Sequence, residues 1–83
     1  MYNVEFTKKS GSQFSKLDKK LHNRILASID RIRYRPYHFI KRKKGVNNFF
    51  LRVGDYRVIL DINNQRKIIH ILEVGYRKNI YKN

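Results

Sequence analysis

Cysteine is absent from the 83 residues, which excludes a disulfide framework, a thiolate nucleophile and a zinc site built on thiolates. Acidic residues are scarce as well: 6 Asp and Glu stand against 20 Lys and Arg, so the formal charge is +14 and no acidic segment offsets it. No apolar run approaches the length of a bilayer-spanning helix, and no basic amphipathic terminal helix stands apart from the core pattern, so no membrane partner is expected. The opening residues Met1-Tyr2-Asn3-Val4-Glu5 lack the charged-then-apolar order of a secretory signal, and the expected compartment is the cytoplasm. No phosphate-binding glycine loop, dinucleotide fingerprint or cluster of metal ligands occurs, so neither a cofactor nor a metal is expected.

What remains is a small, cationic chain. Its length allows one domain, residues 1–83, with one modest core. Its charge attracts phosphate polymers and repels itself in the compact state. Nucleic acid or an acidic protein partner would relieve that repulsion.

Along the chain, Tyr2, Val4 and Phe6 alternate with Asn3 and Glu5, the period of a half-buried strand. Thr7 and Asp18 are side-chain oxygens placed before helical patterns, the first running through Phe14 and the second stopping near Tyr34 ahead of Pro36. Leu17, Leu21, Ile25, Ile29 and Ile32 recur at steps of four, four, four and three, which puts them on one apolar stripe. Residues 37–47 read as a loop carrying the densest basic run, Lys41-Arg42-Lys43-Lys44, closed by Gly45.

Phe49 to Val53 and Tyr56 to Ile62 are strand-like, joined by Gly54-Asp55, a two-residue turn with Gly in the first central position. A last strand, Lys67 to Val74, follows the Asn63-Asn64-Gln65 turn. The expected fold is α+β: a small antiparallel β-sheet with two N-terminal helices packed on one face, in the order β-α-α-β-β-β.

The tight turn pairs Val53 with Tyr56 and sets Arg52 directly opposite Arg57 on one sheet face. Opposed like charges destabilise a sheet by up to about 1 kcal/mol, unless an anion lies between them or the two groups splay into water. Phe50 and Ile59 flank the pair on the same face, and basic groups interleaved with aromatics suit single-stranded RNA, where phosphates take cations and unstacked bases take flat surfaces.

The segments Leu51-Arg52-Val53-Gly54-Asp55-Tyr56-Arg57-Val58-Ile59 and Glu73-Val74-Gly75-Tyr76-Arg77-Lys78-Asn79-Ile80-Tyr81, in this order and spacing, resemble the signature of the RelE/ParE toxin superfamily, closest to its RelE branch. The likeness extends to the Asp18-Lys19-Lys20 helix start, the Arg35-Pro36-Tyr37 helix exit and the basic run ending at Gly45. It implies a toxin of a toxin–antitoxin pair that cleaves mRNA in the ribosomal A site without a metal. It also implies an acidic, helical RelB-like antitoxin forming a hetero-oligomer with the chain, and the ribosome and mRNA as further partners.

Carried over residue by residue, the family's catalytic positions fall on Arg57, Arg77 and Tyr81. Lys41, Arg42, Phe50, Arg52, Tyr76 and Lys78, with Lys43 and Lys44, are candidates for RNA binding. The chain departs from the family pattern at Asn48 and Phe50, where relatives carry lysines, and at Tyr76, where many have His. The general base is therefore left open. Tyr81 serves if neighbouring cations favour its phenolate, while His22, His38 and His70 are scattered over helix, loop and strand. Two further readings remain from the sequence: a ParE-type inhibitor of DNA gyrase, which shares the fold without cutting RNA, and an RNA- or ribosome-binding protein without chemistry.

Overall fold

The computed structural model describes residues 1–42, 45 and 47–76. Thr7 and Asp18 act as N-caps, as their side chains predict: Thr7 accepts from the Ser10 amide at 3.1 Å and Asp18 from the Leu21 amide at 2.9 Å. They open α1 (Lys8–Ser15) and α2 (Lys19–Tyr34), while β1 (Asn3–Phe6) precedes both helices. The sheet continues with β2 (Lys41–Arg42), β3 (Phe49–Val53), β4 (Tyr56–Asn63) and β5 (Ile68–Tyr76), in the spatial order β1-β5-β4-β3-β2.

The β3–β4 hairpin has the expected register, Val53 opposite Tyr56 and Arg52 opposite Arg57. Gly54 takes φ +60° at the first central position, and Asp55 is not among the residues of positive φ, the pattern of a type II′ turn. Buried Ile25, Ile29 and Ile32 of α2 lie against Leu51, Val53, Val58, Leu60, Ile69, Ile71 and Val74 on one face of the sheet, while Ile59 and Ile68, also buried, lie on the opposite face. Leu21 flanks this core on α2, while Leu17 does so from the turn before the Asp18 cap.

Two features differ from the sequence reading. The sheet is mixed: β2 to β5 are antiparallel, but β1 joins β5 in parallel, Asn3 opposite Ile68. The antiparallel pairs follow from short turns, whereas the two helices between β1 and β2 carry the chain to the opposite edge, so no local turn sets the direction of β1. Part of the expected loop at 37–47 forms the short edge strand β2. Helix α1, expected from its Thr7 cap, lies against β5 beyond the end of β1. Where β1 ends at Phe6, the Ile71 carbonyl accepts from the Thr7 amide at 3.0 Å and from the Ser10 hydroxyl at 2.6 Å, and the Val74 amide donates to Gln13 Oε1 at 2.7 Å. These bonds satisfy backbone groups that a bare sheet edge would expose. The same stretch of β5 holds a bulge, with Ile59 opposite Glu73 but Leu60 opposite Ile71, leaving Leu72 as the extra residue.

Candidate nucleic-acid interface

Side chains on a strand alternate between faces, so the pairing register alone assembles the sheet face opposite α2 as rows running across the strands. Nearest the hairpin lies the row Arg52, Arg57, Gly75. The next row is Lys41, Phe50, Ile59, Glu73. A third row, farther from the hairpin, holds Asp61, His70 and Glu5, with Asn48 bound to Asp61 at 2.8 Å.

Arg57 is the best-anchored cation of this face. Its guanidinium carbon lies 4.5 Å from the centroid of the Phe50 ring, and its Nε is shielded from solvent. The stack on Phe50 fixes the plane of the guanidinium and is worth about 0.5–2 kcal/mol depending on desolvation. Gly75, directly opposite on β5, contributes no side chain to the space beside it. Phe50 thus acquires a role at a position where the family pattern has a lysine: it carries no charge but braces one.

Arg52 is exposed and turns the other way, its Nε donating to the Gly54 carbonyl at 3.4 Å. The two opposed arginines therefore splay, one toward the turn and one toward Phe50, which relieves the like-charge contact while both stay on one face. On the core side of the turn, Arg24 of α2 packs against Gly54, where an added Cβ would lie 3.1 Å from its guanidinium. The turn thus has an arginine on each side of it.

The acidic residues of this face each lie against a polar or basic neighbour. Glu73 is ion-paired with Lys9 of α1, Glu5 lies 3.8 Å from His70 Nδ1, and Asp61 accepts from Asn48. The Asn48–Asp61 contact fell outside the sequence reading, although Asp61 shares the alternation of Arg57 and Ile59 along β4 and that signal places it on their face.

The register divides the residues singled out from the sequence. Lys41, Phe50, Arg52 and Arg57 are brought to one face. Arg42 points to the opposite side, its guanidinium carbon 4.6 Å from the Phe49 ring centroid. Tyr76 also lies on the core side, paired with Tyr56 with ring centroids 5.3 Å apart. Lys43, Lys44, Arg77, Lys78 and Tyr81 lie outside the described residues. The histidines form no cluster: His22 stacks on Phe14 at 3.8 Å, His38 meets Phe39, and His70 faces Glu5. Among the described residues no group of three metal-binding side chains occurs, and no helix is long and apolar enough to cross a membrane.

Comparison with known proteins agrees with this architecture. A chain of the archaeal RelE–RelB complex from Pyrococcus horikoshii superposes with a TM-score of 0.79 at 28% identity, covering 94% of this chain and 97% of that one. A chain of the RelB–RelE antitoxin–toxin complex from Methanococcus jannaschii gives 0.71 at 26% identity, with coverages of 92% and 93%. A chain of the intact Escherichia coli RelBE toxin–antitoxin complex gives 0.80 at 15% identity, with coverages of 92% and 96%, a likeness of fold alone. No curated protein matches by sequence. The family model described as ParE toxin of type II toxin–antitoxin system, parDE, matches residues 4–81, and the chain therefore belongs to that family, within the RelE/ParE superfamily of toxins.

Proposed function

We propose that this toxin is a metal-independent endoribonuclease that cleaves mRNA in the ribosomal A site and so inhibits translation. The observation that carries the reading is Arg57, held over Phe50 on the sheet face opposite α2, which it shares with Lys41 and Arg52. A cation fixed in this way is preorganised for charge that develops on phosphorus.

In the proposed reaction the ribose 2′ oxygen attacks the adjacent phosphorus and the bond to the 5′ oxygen breaks, leaving a 2′,3′-cyclic phosphate, while the departing 5′ oxygen takes a proton from water to become a 5′ hydroxyl. Arg57 stabilises the additional negative charge of the transition state. Arg77, carried over from the family pattern, grips the same phosphate. Tyr81 takes the proton from the 2′ hydroxyl. Arginine remains protonated at neutral pH and is a poor proton donor, so the chain's own acid–base power is small. Positioning then has to supply much of the acceleration, on the order of 7–11 kcal/mol, and the ribosome provides it by holding the message in the A site.

The partner proposed for the toxin is a RelB-like antitoxin, as in the complexes from P. horikoshii and M. jannaschii. Its acidic character would complement the +14 charge, and its binding would raise stability by mass action. A groove between β1 and α2 is lined by apolar Val4, Phe6, Leu26 and Ile29 and by polar Asn3, Glu5, Asp30 and Arg33, a mixed surface open to such a partner.

The test is to add the purified protein to a translation reaction and map mRNA 5′ ends. Cuts within translated codons that require ribosomes, and that fall at least about tenfold with Arg57→Ala or Arg77→Ala in folded protein, support the reading. Two observations favour gyrase inhibition as a second reading: the matching family model is that of ParE, and Asn48 and Phe50 stand where RelE-type relatives have lysines. Intact message together with loss of plasmid supercoiling would establish it.

A further inference from the structure

No acidic residue occurs between Asp30 and Asp55, and this stretch folds around the end of α2 and the β2 edge. On the side of β2 away from Arg57, three consecutive exposed aromatic residues, Tyr37, His38 and Phe39, are framed by arginines. Arg31 of α2 lies over the Phe39 ring at 5.2 Å, and His38 meets the same ring edge-on at 4.6 Å. Arg42 lies over Phe49 at 4.6 Å, and Tyr37 meets that ring edge-on at 5.7 Å. Tyr37 and Phe39 remain 50% and 39% exposed, although side chains of this size are normally drawn inward.

A guanidinium stacked on a ring keeps its outer plane open and is weakly hydrated, so it offers a flat, cationic surface on which an unpaired base can stack. Rings alternating with fixed cations, without a carboxylate in the intervening sequence, match a polyanion with flat bases better than they match a folded protein surface.

We propose that the surface formed by Tyr37, His38 and Phe39 with Arg31 and Arg42 is a second RNA-binding surface, which takes unpaired nucleotides flanking those held on the Arg57 face. β2 joins the two surfaces, because Lys41 points to one and Arg42 to the other, and a strand passing around this edge touches both. The proposal rests on the reading of the toxin as acting on RNA.

The test is equilibrium binding of a labelled, unstructured oligoribonucleotide to the full chain, read by fluorescence anisotropy over a range of salt. Phe39→Ala should weaken binding about fivefold or more with an unchanged salt slope, because it removes a stacking surface and no charge. Arg42→Gln should weaken binding and also lower the salt slope by somewhat less than one. Phe39→Trp should retain wild-type affinity, and circular dichroism checks that each variant is folded. Unchanged affinity in Phe39→Ala, or losses confined to the arginine variants, overturns the stacking surface. So does loss of antitoxin binding in these variants with RNA affinity intact, since the surface then belongs to a protein partner. If binding depends on Phe39 but the wild-type protein leaves translated message uncut, the nuclease reading falls and the second surface stands.

Discussion

The two halves of the sheet face opposite α2 differ in charge and in how that charge is used. On β2, β3 and the start of β4, Lys41, Arg52 and Arg57 face outward, and the support of Arg57 is an aromatic ring. Toward β5 and β1 the same face carries Asp61, Glu73 and Glu5, half of the 6 acidic residues of the chain, each against a neighbouring polar or basic group. On the proposed function, a phosphate brought to this face is attracted by the cations of the first half and not by the carboxylates of the second. The second half meanwhile tethers α1 and β1 to β5. In the proposed function one half serves the ligand and the other the fold.

That division can be broken by substitution. The largest effect belongs to the structural half. Ser10 is fully buried, and Ser10→Ala removes one of the two donors to the Ile71 carbonyl, which should cost about 1–3 kcal/mol in urea unfolding. Cleavage by the folded variant should stay within about twofold, because the site face is untouched; a large loss of activity at full stability would place α1 in the site. A smaller effect is expected from Phe50→Leu, which keeps the strand apolar but removes the brace under Arg57. Cleavage should fall about fivefold for the loss of roughly 1 kcal/mol of cation–π contact, and unchanged rates would mean that the stack does not position the guanidinium. The smallest belongs to the boundary: Asp61→Asn should tighten oligoribonucleotide binding about two- to threefold at low salt, with the difference vanishing at high salt. Weaker binding would show instead that the carboxylate contacts the RNA.

Legibility from sequence followed the range of the interaction. The caps at Thr7 and Asp18, the α2 stripe and the Gly54-Asp55 turn depend on residues within a few positions of one another, and all were readable. The facing of Arg52 and Arg57 followed from the turn by counting. The parallel union of β1 with β5 was not readable, since it links Asn3 to Ile68 without an intervening turn that encodes direction. Nor was the sorting of the basic run. Lys41 and Arg42 are adjacent in sequence and look equivalent there, but once β2 pairs with β3 they fall on opposite faces. Tyr76 was grouped with the site by its nearness to the late signature, and its register with Tyr56 puts it on the core side.

The sequence by itself determined the charge, the helix boundaries, the hairpin and the likeness to a family of toxins, because composition, periodicity and turn chemistry are local properties. Only the tertiary structure decided which cations share a face, that Phe50 braces Arg57, that α1 completes the edge of β5, and that the acidic residues gather on the far half. Those outcomes depend on the register between strands, and register is set when the whole sheet closes on its core.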